Sequence, residues 1–237
     1  VVPEPQGDVV QEEPSDSEPQ QVEEKGDFLV NTTTISSQKD PVVAMAEDGS
    51  SVIIWSSKDS DQGQYDVVGQ LYDTEGKPKG GEFLVNATTT GHQKNASVAM
   101  RPNGEFLVVW DSWPLDGSDF DVAGQIFSSN GNRIGAEFVV NKETEGYQWN
   151  GKVGLLEDHR YIVGWMSRTP TEEDWQIYGQ IIDFKGEKIG EVKILAENIL
   201  AGIPAIPNVA TERDVEYASE SVFFDLDGSG KGNFAVA

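Results

Sequence analysis

The segment SVIIWSSKDSDQGQYDVVGQLYD, residues 51–73, is the first of three similar stretches in the chain. FLVVWDSWPLDGSDFDVAGQIFS follows at 106–128 and YIVGWMSRTPTEEDWQIYGQIID at 161–183, each displaced by 55 residues. Trp55, Trp110 and Trp165 keep that interval, as do Asn31, Asn86 and Asn141, and Gln38, Gln93 and Gln148. The pairs Gly69-Gln70, Gly124-Gln125 and Gly179-Gln180 follow it too, with Gly76, Gly131 and Gly186. Five ladders in one register define a repeat, and a period of this length marks a blade, solenoid or array.

Within each period the apolar residues alternate or form short β-branched runs, the signature of strands rather than amphipathic helices. Four strands per unit are legible. In the first unit they are DFLVN (27–31), PVVAMA (41–46), SVIIW (51–55) and YDVVGQLYD (65–73). Asp-Gly and Asn-Gly in AEDGS and RPNGE suit tight hairpins between the second and third strands. Because strand direction reverses at every turn, the longer connections, such as SSKDSDQGQYD and ATTTGHQKN, gather at the opposite end. That end carries the variable chemistry. The expected fold is all-β: a β-propeller-like array of four-stranded antiparallel blades, three complete and a fourth partial. The blades are assigned to residues 26–80, 81–135 and 136–190, and the partial fourth to 191–237. Residues 1–25 read as an acidic Pro/Gln/Glu-rich linker or as an arm that donates a strand, since GDVVQ (7–11) echoes YDVVGQ.

The chain has 237 residues, 41 acidic against 17 basic, and a formal charge of -24. A field of that sign repels nucleic acid and anionic lipid and favours cations or basic partners. Cysteine is absent, which removes disulfides and thiolate chemistry. No apolar run reaches the roughly 18 residues of a membrane span, so no direct membrane insertion is expected.

In DLDGSGKGN (225–233), Asp225, Asp227 and Ser229 alternate as oxygen donors, Lys231 offers its carbonyl, and Asn233 follows. That spacing wraps a hard cation, while the same residues also suit a solvated hairpin turn. The stretch resembles the calcium loop of FG-GAP (VCBS-like) repeats in integrin-type propellers, with Ser229 and Asn233 in place of two acids. The resemblance implies calcium as a cofactor. The repeats over 26–190 resemble those of a family of bacterial secreted and cell-surface proteins, whose blades read Glu-Phe-x-Val-Asn, Gln, a Val-Ala strand, Asp-Gly, an aliphatic run to Trp, and Asp-Val-x-Gly-Gln. This implies an extracellular location and a place in an adhesin or surface assembly, with other subunits or copies of itself as partners.

The laddered tryptophans read as packing between blades and the laddered glutamines as backbone ties. Trp113, Trp149 and Trp175 break the ladder and fall in long loops, so they are the aromatic candidates for ligand contact. Asp59, Asp61, Asp116 and Asp119 are the acidic ones. Paired acids could serve a glycosidase, but their repetition in equivalent loops argues against one convergent site. Only His92 and His159 are present, and no Gly-x-Ser-x-Gly or His-Glu-x-x-His occurs. The expectation is therefore a non-catalytic surface module without enzyme activity. The alternative is a glycan- or ligand-binding propeller, and the third reading is an accessory domain of a secreted hydrolase.

Overall fold

The computed structural model describes residues 26–58, 63–113, 119–142, 144–168 and 175–196, with side chains as far as Gly190. Every regular element among them is a strand. The first sheet contains β1 (Gln38–Met45), β2 (Ser51–Lys58), β3 (Tyr65–Tyr72) and β4 (Pro78–Leu84). The second contains β5 (His92–Met100), β6 (Phe106–Trp113), β7 (Asp121–Phe127) and β8 (Arg133–Val139), and the third β9 (Tyr147–Leu155), β10 (Tyr161–Arg168), β11 (Gln176–Ile182) and β12 (Lys188–Ala196). Each is an antiparallel meander in sequence order. Among the described residues no helix is long and apolar enough to cross a membrane.

The sheets are out of phase with the sequence units. DFLVN lies outside the three sheets, and its repeat EFLVN ends the preceding meander, as β4 paired to β3, instead of opening the next. The connections explain the shift. Between β3 and β4 the chain makes a tight turn in which Asp73 Oδ1 accepts from the backbone N–H groups of Glu75 and Lys77, both at 2.9 Å. Such a turn keeps both strands in one sheet. The seven-residue passage 85–91 leads instead to the next sheet.

The second sheet is apolar on both faces. Met100, Phe106, Val108 and Trp110 pack with Val52, Ile54, Val67 and Leu71 of the first sheet. Ala99, Leu107, Val109 and Val122 pack with Val153, Tyr161, Val163 and Trp165 of the third. Period-two geometry sends successive residues of FLVVW to opposite cores, so a strand covered on both sides reads as one unbroken apolar run. β5 lies across β1, β2 and β3, and β9 across β5, β6 and β7, so the first strands of the sheets adjoin in series.

Three of the five ladders take their roles here. Trp55, Trp110 and Trp165 are buried and donate their indole N–H to Gln38, Gln93 and Gln148 Oε1 at 3.0, 2.9 and 3.2 Å. The same glutamines donate to the carbonyls of Ile35, Thr90 and Glu145, three residues upstream. An indole N–H needs a partner when buried, and this one also fixes the loop entering each first strand. The Gly-Gln pair serves two ends. A Cβ on Gly69 would sit 2.7 Å from both Phe83 Cζ and Ile54 Cδ1, so only glycine admits that phenylalanine. Gln70 donates to the carbonyls of Leu71 (2.8 Å) and Gly80 (3.3 Å), where the β3–β4 register breaks.

Candidate functional site

The long connections do gather at one end, and there the sheets present a row of rings. Tyr65 opens β3, His92 opens β5, Trp113 closes β6, Phe120 precedes β7 and Tyr147 opens β9. Neighbouring centroids are 6.0 Å apart for Tyr65–His92, 5.3 Å for His92–Trp113, 4.8 Å for Trp113–Phe120 and 5.4 Å for Phe120–Tyr147. Five aromatic rings thus run across all three sheets. Tyr65 and Phe120 are buried, while His92, Trp113 and Tyr147 are half-buried and keep exposed surface.

Cations overlie the row. Lys39 and Lys58 Nζ stand 4.9 and 5.4 Å from the Tyr65 centroid, and Lys94 Nζ is 5.8 Å from Tyr65 and 5.2 Å from Trp113. The repeat rationalises this. Tyr65, Phe120 and Trp175 are equivalent, as are Lys58, Trp113 and Arg168, and Lys39, Lys94 and Trp149. At each repeat the ring that opens the third strand meets cations or other rings, which its π-face accepts alike. In the third repeat Trp149 and Trp175 stack at 5.4 Å, both buried, with the Arg168 guanidinium 5.9 Å from the Trp175 centroid.

Of the aromatic candidates, Trp113 therefore lies in the row and keeps exposed surface, while Trp149 and Trp175 pack on each other. Asp119 accepts the backbone N–H of Gly146 at 2.6 Å, as Gln64 accepts that of Gly91 at 3.0 Å, so its carboxylate ties two long connections together. Asp59, Asp61 and Asp116 lie outside the described residues, as does the expected calcium loop of Asp225, Asp227, Ser229, Lys231 and Asn233. Among the described residues no three His, Asp or Glu side chains are grouped to hold a metal. His159 sits at positive φ (63°) in the β9–β10 turn, at the other end from the ring row.

Asp111 forms a buried polar centre between the second and third sheets. Asp40, Asn95 and Asn150 all adopt positive φ, at 54°, 55° and 55°, and each marks a break in the register of the first strand with the second. Asp and Asn tolerate this left-handed backbone better than other side-chain-bearing residues. Asp111 accepts from Asn95 Nδ2 at 2.9 Å and from the backbone N–H of Gly151 at 3.4 Å, so one carboxylate bridges the second sheet to β9. Its equivalents are Ser56 and Met166, which hid it from any repeat-based search. The repeating Asp/Asn at 40, 95 and 150 was the available signal for the bulge.

Burial raises the Asp111 carboxyl above the ordinary aspartate value of 3.8, against hydrogen bonds that lower it. Burial likewise raises Asp121, which accepts from Asn141. A raised folded-state pKa means the folded chain binds the proton more tightly than the unfolded one, so stability falls as pH rises through that window. The melting temperature should therefore climb as pH is lowered from neutral toward about 4, and the climb should be smaller in Asp111→Asn. Equal pH slopes in the two proteins, measured by scanning calorimetry, would refute this assignment.

No family model matches the chain, and no curated protein matches it. Among solved structures it is similar to an endo-arabinase from Bacteroides thetaiotaomicron, at 14% identity and TM-score 0.43, over 68% of this chain and 62% of that one. It is also similar to a thermostable family-43 glycoside hydrolase, at 12% identity and TM-score 0.45, over 68% and 59%. An endo-1,4-beta-xylanase from the same Bacteroides gives 12% identity and TM-score 0.42, over 65% and 59%. The chain spans about six tenths of the length of these structures. All three are enzymes, and this corrects the expectations of a non-catalytic surface module and of no enzyme activity. A likeness of this degree assigns no substrate to this chain.

Proposed function

We propose that this chain is a propeller-like domain of a secreted or cell-surface protein. Its particular task is to bind a neutral glycan across the end that carries the long connections. The ring row Tyr65–His92–Trp113–Phe120–Tyr147 carries this reading. Sugar rings offer flat C–H faces that lie on aromatic surfaces, and hydroxyls that meet polar groups around them. The half-buried rings of His92, Trp113 and Tyr147, held by packing on the buried Tyr65 and Phe120, present such a surface at little entropic cost. Thr89 and Thr90 before β5 and Thr144 before β9 are exposed and supply hydroxyl partners.

The test is fluorescence and calorimetric titration with a panel of soluble oligosaccharides. Binding should quench tryptophan emission, and Trp113→Ala should weaken it at least tenfold, about 1.4 kcal/mol, in a chain that circular dichroism shows to be still folded. Absence of binding across the panel, or undiminished binding by the variant, would sink the assignment.

A further inference from the structure

The two seams between sheets differ at the end of the tight turns, opposite the ring row. Between the second and third sheets the groove at that end is filled from within. The Arg101 guanidinium lies over the Phe184 ring, 4.3 Å from its centroid, and pairs with Glu105. A guanidinium takes an aromatic ring on its face and a carboxylate on its edge, so this one side chain ties the groove together.

Between the first and second sheets the positions of Arg101, Glu105 and Phe184 fall to Ala46, Ser50 and Ser129. These side chains are far smaller, and a cavity of about 250 Å³ opens among them. Its floor is the buried Leu71, Tyr72 and Met100, and its walls carry Asp48, Asp73 and Lys79. The corresponding positions of the second sheet are neutral: Asn103, Ser128 and Ile134. Asp158, which faces the second seam from the place of Asn103, is paired with Arg160 at 2.6 Å. The second seam thus carries opposite charges on its filler, and the first carries them on its walls.

Those walls are held in place. Asp48 Oδ1 accepts the Ser50 backbone N–H at 2.9 Å and its hydroxyl at 2.6 Å, bonds that lower the carboxyl below its ordinary value and keep it ionised at neutral pH. Lys79 Nζ donates to the Ser129 carbonyl at 3.2 Å and to Asn130 Oδ1 at 2.7 Å, which anchors its head on the second sheet. Both carboxylates belong to turns of the first sheet, so the two signs stand on different sides. An ammonium has three donors, and these bonds leave Lys79 one for a ligand.

We propose that this cavity is a second binding site, for a small aminocarboxylate zwitterion whose ammonium meets Asp48 and Asp73 and whose carboxylate meets Lys79. Such a ligand supplies the two charges that the Arg101–Glu105 pair supplies in the next seam. Its carbon chain rests on Leu71, Tyr72 and Met100. The volume falls short of the roughly 300–1,000 Å³ of pockets for drug-sized ligands, which limits the occupant to about the size of an amino acid. A compound with one charge leaves part of the wall without its counterion.

Calorimetric titration of the full chain with 4-aminobutyrate and with the L-α-amino acids tests this, beside butylamine and butyrate, which carry one charge each. At least one zwitterion should bind saturably in the millimolar range or tighter, and at least tenfold more strongly than either singly charged compound. Asp48→Asn and Lys79→Met should each weaken it at least tenfold. Ala46→Arg combined with Ser50→Glu writes the next seam's pair into this one and should abolish binding by filling the cavity. Circular dichroism checks the fold of each variant, and where the double variant does not fold the two single ones decide. No heat from any zwitterion at millimolar concentration overturns the proposal. So does equal binding of butylamine, which would mark a plain acidic surface, or undiminished binding by folded Asp48→Asn or Lys79→Met.

Discussion

Replacing Trp110 with alanine should lower the free energy of unfolding by about 3–5 kcal/mol, the cost of removing a large aromatic from a packed interior. Trp110 is fully buried in the core between the first and second sheets. The loss has a second part. Gln93, also buried, gives up the indole N–H that its Oε1 accepts at 2.9 Å. Trp110→Phe separates the two contributions: it keeps most of the apolar volume but strands the glutamine oxygen, which should cost about 1–3 kcal/mol. Domains of this kind have only about 5–15 kcal/mol to lose, so the alanine variant should melt far below the parent. Urea unfolding followed by circular dichroism checks both values. A loss under about 1 kcal/mol for Trp110→Ala would mean that the stacking of the first two sheets is misread.

Asn86→Ala should cost about 2–3 kcal/mol, and Asn31→Ala much less, although both residues hold the same place in the repeat. Asn86 is fully buried. Its Oδ1 accepts the Val67 backbone N–H at 2.8 Å, and its Nδ2 donates to Asp66 at 2.6 Å and to the Thr88 carbonyl at 2.9 Å. Alanine leaves a buried N–H and a carboxylate without that partner. Arg133 adds a clamp by donating to the Asn86 carbonyl at 2.9 Å, as Lys188 does to that of Asn141 at 3.1 Å. At the first repeat Pro78 occupies the position of Arg133 and Lys188 and has no such donor, and Asn31 bonds locally to the Thr33 carbonyl at 2.7 Å. Equal losses in the two variants, read from the same urea curves, would show that residues 27–31 are already held as tightly as residues 82–86.

The candidate site was legible in part. Trp113 was visible as a tryptophan out of register with the ladder, and it does lie in the ring row. Its partners were harder to see. Lys39, Lys58 and Lys94 look like ordinary surface charges in a sequence, and only the stacking of one sheet on the next brings them over Tyr65 and Trp113. Trp149 and Trp175 share the same loops by sequence, yet they are spent on each other. Asp119 looks like a free acid beside Asp116, but its equivalence to Gln64 gives it the same backbone-tying task.

The repeat, the strands and the end at which the long connections gather follow from the sequence alone, because alternation and turn chemistry are local and recur every 55 residues. The grouping of strands into sheets does not. A period has no starting point, so EFLVN could open one unit or finish the last, and only the hydrogen bonds between β3 and β4 decide that it finishes. The buried carboxylate of Asp111 and the cations over the rings are likewise properties of neighbouring sheets, set by contacts between residues far apart in the chain.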